Sequence, residues 1–449
     1  MMYQRLIDRG WRRSGHYCYK PDNARTCCPA YTIRLKAAAF APSTGNKKTI
    51  KRVRKVLSSE TNAGVEEGER LDAAEKDWED VGDQGQIQFA ALSPQLALAA
   101  LPQLAQSMSV TMLEASPTSD KAGPVMSATA SHPQNGPRKQ KVPWVKQPKK
   151  PKNAPSDIID LILESEKQLP ANRLEVKLVR AALEEDTFNL YRKYQTIVHK
   201  DPPGKIKKES YKRFLVDSPI TYVDPATVPH LDCPATSQSI IQSFPGFGTF
   251  HQKYYLNGNL VAVSVLDILP HCVSAVYFMY DPSTAQVRNM SLGVYSALRE
   301  CAMTKQFSQV VGGLDSYYMG YYIHSCSKMR YKAQFRPSEL LCPKLYTWVP
   351  VDKCIQLLDI NKVARLSVML ERETTPDSTD SDVYGPDAIS SSFEVKLPDD
   401  VINLKVFKDG RVTLVKMLSK EHAVKLAKGL IEFVKLVGVD VARDIFYVV

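Results

Sequence analysis

A chain of 449 residues, 44% hydrophobic and 24% charged, is long enough for about three domains and apolar enough to bury a core. Its formal net charge of +11 favours an anionic partner such as nucleic acid, while nine scattered cysteines argue against a disulfide scaffold and for a reducing compartment. Residues 1–9 contain no apolar run of signal-peptide length, and the most apolar stretch, 89–105, is broken by Pro94 and Pro102, so neither a leader nor a membrane span is expected.

Four regions follow in chain order. Residues 1–41 are aromatic and basic. Residues 42–155 open with a basic helical candidate at 46–58, in which Ile50, Val53, Val56 and Leu57 recur at helical spacing. The sequence then turns acidic (Glu66, Glu67, Glu69), becomes rich in Ala, Ser, Gln and Pro, and ends in Arg138, Lys139, Lys141, Lys146, Lys149, Lys150 and Lys152 around Trp144. Such composition cannot bury enough apolar area to offset chain ordering, so a long disordered linker is expected. Its basic end either contacts nucleic acid, directs nuclear import or is simply solvated. Residues 156–359 carry dense apolar periodicity and form the expected catalytic region. Residues 360–449 are an acidic, Ser/Thr-rich break followed by a short folded tail.

Within the third region, 174–179 alternates like a strand, and 187–200 and 208–216 read as amphipathic helices. Segments 250–256 and 260–269 flank Asn257-Gly258, a dipeptide suited to a type I′ turn because both residues tolerate positive φ. A third strand at 273–280 precedes a helix from Ser291, whose Leu292, Tyr295, Leu298 and Ala302 share one side. Further β-rich runs lie at 316–323 and 345–351. Strands, one central helix, then more strands predict an α+β fold on a mostly antiparallel sheet. That order is similar to the acetyltransferase (GNAT) sheet that binds acetyl-CoA. In the tail, 408–411 predicts a hairpin and 420–436 a helix.

Several long motifs carry a resemblance. Near the start they are Asp8-Arg9-Gly10-Trp11-Arg12-Arg13-Ser14-Gly15 and Thr26-Cys27-Cys28-Pro29-Ala30-Tyr31-Thr32-Ile33-Arg34-Leu35. Later come His199-Lys200-Asp201-Pro202-Pro203, Phe247-Gly248-Thr249-Phe250-His251-Gln252-Lys253-Tyr254, Val265-Leu266-Asp267-Ile268-Leu269-Pro270 and Ser291-Leu292-Gly293-Val294-Tyr295. The most distinctive is Tyr321-Tyr322-Ile323-His324-Ser325-Cys326, with Lys328-Met329-Arg330-Tyr331-Lys332 and Arg336-Pro337 behind it. In this order they resemble arginyl-tRNA–protein transferases over roughly half the chain. The resemblance implies transfer of arginine from arginyl-tRNA to the α-amine of proteins beginning with Asp or Glu, marking them for ubiquitin-dependent degradation in cytoplasm and nucleus. Whether oxidised Cys is also an acceptor is left open by the sequence. The family's N-terminal region usually carries a Cys-x-x-Cys pair upstream of the Cys-Cys-Pro element, and the two pairs together resemble a four-thiolate, iron–sulfur-type site. Here only Cys27 and Cys28 stand, as a shortened N-terminal region would leave them, and a pair of reduced structural cysteines is the competing reading. A catalytically impaired form that only binds tRNA or protein is the rival to the enzyme reading.

Aminolysis of an ester by an amine needs no cofactor, no strong base and no enzyme nucleophile, which agrees with the lack of a convincing triad in the sequence. His324, Asp267 and Tyr322 are the expected catalytic group. Lys328, Arg330, Tyr331, Lys332 and Arg336 form the densest basic cluster of the core and are expected to meet the acceptor's carboxylate, His324 being alternatively a hydrogen-bonded core histidine. Asp267, with Glu300 second, is expected to hold the guanidinium of the transferred arginine, because an unpaired carboxylate in an apolar strand is costly. Arg9, Trp11, Arg12, Arg13 and Arg288 are expected to contact tRNA. The stretch before the central helix, Arg288-Asn289-Met290-Ser291-Leu292-Gly293, lacks the paired glycines that cradle a pyrophosphate, which disfavours coenzyme A.

Overall fold

The computed structural model describes residues 2–59, 157–167, 171–228, 244–370, 401, 403–408, 411–444 and 446–448, and every structural statement concerns these residues. The basic run at 138–152 and the acidic break at 371–400 lie outside the described residues. Among the described residues no helix is long and apolar enough to cross a membrane.

From the N-terminus, helix α1 (Met2–Ile7) leads to a hairpin of β1 (Arg12–Ser14) and β2 (Tyr17–Tyr19), then to β3 (Ala30–Lys36) and helix α2 (Thr44–Ser58). Next come α3 (Ile158–Glu166), β4 (Leu174–Arg180) and α4 (Glu185–Ile197). They precede β5 (Gly248–Leu256), β6 (Asn259–Ile268), β7 (Cys272–Tyr280) and helix α5 (Leu292–Phe307). This region closes with β8 (Ser316–Ile323), β9 (Ser338–Leu341), β10 (Trp348–Pro350) and α6 (Val351–Ile360). The tail contributes β11 (Lys405–Lys408), β12 (Arg411–Leu414), α7 (Lys420–Val437), α8 (Val439–Asp444) and β13 (Phe446–Val448).

Alternation predicts the β4–β7 meander closely, and Asn257 and Gly258 do take φ of 52° and 84° at its tightest turn. The result is an α+β fold around an eight-stranded sheet ordered β10-β9-β3-β8-β7-β6-β5-β4, antiparallel except where β7 meets β8. Two boundaries move. Residues 1–41 do not form a separate domain, because β3 lies inside the sheet between β8 and β9. Nor does the linker begin at 42: α2 is folded, since Ile50, Val53 and Leu57 are buried in the main core. Of the predicted strand at 345–351 only Trp348–Pro350 pairs, and it does so with β9, which its four-residue length hid from view.

Strand alternation sorts the two faces. Ala262, Ser264 and Leu266 of β6 face α5, and Val263, Val265 and Asp267 face α4 and the N-terminal segment. Helix α5 is buried nearly all round, beyond the single apolar side predicted for it.

The parallel ladder between β7 and β8 is short, pairing Cys272–Ser274 with Ser316–Tyr318. Just past its last rung both strands carry a bulge. Val276 is extra on β7 relative to β6, and Met319 and Gly320 together oppose Ile33 of β3. Gly320 sits at φ 72°, a conformation glycine adopts without a side-chain clash. Bulges bend a strand and increase its twist, so the paired bulges part β7 from β8 towards their C-terminal ends. The chain leaving β7 reaches the start of α5 within twelve residues, which places that helix start beside the split.

The N-terminal segment crosses this region on the face opposite α5. Tyr3 and Ile7 pack with Leu269, Cys272 and Tyr318. Trp11 is 2% exposed, packs among Val406, Phe433 and Val437 of the tail, and donates its indole N–H to Leu436 O at 3.1 Å. Replacing Trp11 by alanine should cost about 3–5 kcal/mol of stability in denaturant titrations, with Trp11→Phe losing far less. Equal losses for the two variants would show that the ring's packing does not hold the tail to the N-terminal segment.

Candidate active site at a split in the sheet

Asp267 and Arg13, expected to serve donor arginine and tRNA, serve each other. Arg13 Nε and Nη2 donate to the two carboxylate oxygens at 2.7 Å each, and both side chains are 0% exposed. Thr249 Oγ1 adds a third donor to Asp267 at 2.7 Å. The cost of an unpaired carboxylate was the right premise, but the partner comes from the same chain. Asp267 is thus committed, and Arg13 cannot reach a phosphate.

Arg12 is turned inward as well. It is 6% exposed, donates to Trp11 O at 2.7 Å and to Gly320 O at 3.2 Å, and lies 5.7 and 5.2 Å from the ring centres of Tyr318 and Tyr321. The bulge places those two tyrosines on one face. Lys332, expected at the acceptor pocket, reaches back to β8: it is 8% exposed and its ammonium donates to Tyr321 O at 2.9 Å. Burial, reinforced by the charge of Arg12, pulls its pKa down to about 7. Neither cation has a carboxylate partner among the described residues, and the Arg12 Nε–H and the buried Thr32 hydroxyl make no hydrogen bond there.

The rest of the basic cluster disperses. Tyr322 OH lies 2.7 Å from His324 Nδ1, and His324 Nε2 lies 2.9 Å from Asp359 of α6. With both ring nitrogens engaged, His324 is a hydrogen-bonded strut rather than a free base. Arg330 approaches Asp359 at 3.6 Å, and Arg336 pairs with Asp352. Asp352 and Asp359 stand seven residues apart, on one side of α6, a signal the sequence held but one that carries no chemistry by itself. Lys328 is buried, and Tyr331 packs edge-on to Phe335, burial raising its pKa to about 12.

Glu300 is enclosed on the α5 face rather than lining an open donor pocket. It is 1% exposed and accepts from Ser264 Oγ at 2.6 Å and Tyr317 OH at 2.5 Å, and burial raises its pKa to about 7. Of the remaining expected tRNA contacts, Arg9 pairs with Asp440 at 2.7 Å, and Arg288 donates to Pro282 O and Ser283 O near the start of α5. Arg52 of α2, which the sequence reading left without a role, donates to the hydroxyl of Ser291, the residue before α5, at 2.6 Å.

Cys27 and Cys28 lie with their sulfurs 3.5 Å apart, and the hydrogen bond between them raises the pKa of Cys28. No group of three or more Cys, His, Asp or Glu able to hold a metal occurs among the described residues.

Comparison with known proteins follows the same lines. Residues 1–48 match the family described as "Arginine-tRNA-protein transferase, N terminus", and 186–342 match "Arginine-tRNA-protein transferase, C terminus". The chain is 33% identical to arginyl-tRNA–protein transferase 2 of Arabidopsis thaliana, with 81% of this chain and 72% of that protein covered. It is 35% identical to arginyl-tRNA–protein transferase 1 of Drosophila melanogaster, covering 81% and 78%. A shorter match, 34% identical over 37% of this chain and 57% of the relative, is to the aspartate/glutamate leucyltransferase of Pseudomonas fluorescens. Fold and relatives define an aminoacyltransferase. The chain belongs to the arginyl-tRNA–protein transferase family.

Two measurements test this geometry. Asp267→Ala leaves Arg13 buried and unpaired and should cost about 3–5 kcal/mol, whereas pairing Asp267→Leu with Arg13→Met should recover most of it. A double variant no more stable than the single one would deny the pair its isolation. Glu300 has a folded pKa raised to about 7, so the folded chain keeps a proton that the unfolded chain releases above its ordinary range. Its contribution is fully present below about pH 4.5 and is lost as pH rises to about 7. Glu300→Gln should therefore gain stability over the parent across that window, by roughly 3 kcal/mol at its upper end, and a pH-independent difference would contradict the assignment.

Proposed function

We propose that this chain transfers arginine from arginyl-tRNA to proteins whose first residue is Asp or Glu, and that the split between β7 and β8 is where the two substrates meet. The observation that carries the reading is the buried, acid-free pair Arg12 and Lys332. Two cations held out of water without a carboxylate are costly, and a ligand carboxylate would bring the missing charge. A relative whose printed name specifies aspartate and glutamate supports the same acceptor class. The parallel pair that opens beside a helix start also resembles the acetyltransferase sheet, here without the glycine pair that would favour coenzyme A.

In the reaction the acceptor's α-amine nitrogen attacks the arginyl carbonyl carbon. A C–N bond forms, the ester C–O bond breaks, and the ribose hydroxyl leaves with the proton the amine gives up. An α-amine of pKa about 7.7–8.0 is already partly neutral at cellular pH, so orientation supplies much of the rate. Arg12 and Lys332 hold the acceptor's side chain while its amine faces the ester. The arginine so added would mark the product for ubiquitin-dependent degradation.

With labelled arginyl-tRNA, peptides beginning in Asp and Glu should accept label and one beginning in Val should not. Lys332→Gln and Arg12→Gln should each raise the KM for the Asp peptide tenfold or more, as expected for losing about 1.5–3 kcal/mol of charged hydrogen bonding, with the KM for arginyl-tRNA little changed. Because Lys332 loses its proton above about pH 7, that peptide's KM should also rise with pH through this range in the parent but not in Lys332→Gln. Equal labelling of the Val peptide would end the acidic-acceptor reading.

A further inference from the structure

Trp11, Arg12 and Arg13 are buried, so they cannot receive a tRNA backbone, whereas helix α2 turns a strongly positive face outward. Its fifteen residues include Lys47, Lys48, Lys51, Arg52, Arg54 and Lys55 and no acidic residue. The inward face is fixed: Ile50, Val53 and Leu57 are buried, Ser43 and Asn46 form a reciprocal cap at its start, and Asn172 binds Val56 O and Ser59 O at its end. The outward face carries Lys48, Lys51, Arg52 and Lys55, all exposed, over about 10 Å of helix. Lys47, Lys48, Lys51 and Lys55 form no ion pair with a described residue, and Arg54 pairs with Glu164.

This arrangement works against the helix itself. Lys47/Lys51, Lys48/Arg52 and Lys51/Lys55 are like charges four residues apart, and Lys47 and Lys48 sit at the positive end of the helix dipole. A polyanion would relieve both. The helix also leads to the split: Arg52 grips Ser291 at the start of α5, and α2 packs on the helical turn Ala285–Asn289 that carries the exposed Arg288.

We infer that the outward face of α2 is a phosphate-binding track for tRNA, which holds the acceptor arm while its charged 3′ end enters the split. The inference rests on the proposed function for its donor substrate and adds the surface that grips it. The track reads backbone charge, not bases, because lysines on an exposed helix face provide point charges without a rigid fork.

The test is the triple variant Lys48→Gln, Lys51→Gln, Lys55→Gln, which leaves Arg52, the buried face and the split intact. At about 0.1 M salt the KM for arginyl-tRNA should rise roughly tenfold, and the log–log salt slope for binding uncharged tRNA should weaken by about two, given a slope of roughly 0.7–0.9 per phosphate contact. The turnover at saturating tRNA and the KM for the Asp peptide should stay as in the parent, and the melting profile should confirm folding. Unchanged tRNA affinity and salt slope would overturn the inference. So would a raised peptide KM with unchanged tRNA binding, which would assign the helix to the acceptor protein instead. If the parent transfers no arginine the proposed function falls, but the binding slopes still decide the role of α2.

Discussion

One interaction fixes the order of everything around the split: the enclosed bidentate pair between Arg13 and Asp267. Removing two charges from water is expensive, and only matched geometry with satisfied lone pairs offsets it. Here Thr249 supplies the extra donor to the carboxylate. Because the pair tolerates no slack, it sets the position of the hairpin from Arg12 to Tyr19 over the sheet. The adjacent Arg12 is delivered over Gly320, Tyr318 and Tyr321 as a consequence. The tail then grips the same segment from outside, through Trp11 and through Arg5 and Arg9 on Asp440.

What the sequence made legible is local. The meander around Asn257-Gly258, the central helix and the tail hairpin all have signatures within a few residues. The position of β3 has none: Ala30–Lys36 pairs with strands 280 to 307 residues away, and nothing in its own alternation names those partners. The site was half legible for the same reason. Asp267 announced that it needed a cation, but the cation is Arg13 of the same chain and not a bound arginine. The dipeptide Arg12-Arg13 read as a tRNA contact, yet tyrosines, backbone carbonyls and one carboxylate make it interior. Conversely, Arg336 and Arg330 looked available until α6 brought Asp352 and Asp359 beside them.

The two bulges interrupt an otherwise regular sheet just where β7 and β8 stop pairing. Without the extra residue at Met319-Gly320, alternation would carry Tyr321 to the α5 face and Tyr322 to the face of Arg12, since a one-residue change in register flips every later side chain. Tyr321 could then no longer flank Arg12, and Tyr322 would leave His324 and Asp359 without their third member. Gly320 is therefore constrained twice, by its own positive φ and by the facing of both tyrosines after it. A single strand thus divides the charges of the site: Glu300 lies beneath Tyr317 on one side, and Arg12 and Lys332 lie beside Tyr321 on the other. Burial pushes Glu300 and Lys332 towards their neutral forms from opposite directions, which leaves the Arg12 guanidinium as the permanent charge facing the split. On the proposed reading, an amine that is already a competent nucleophile needs little else from its enzyme than to be held beside the ester.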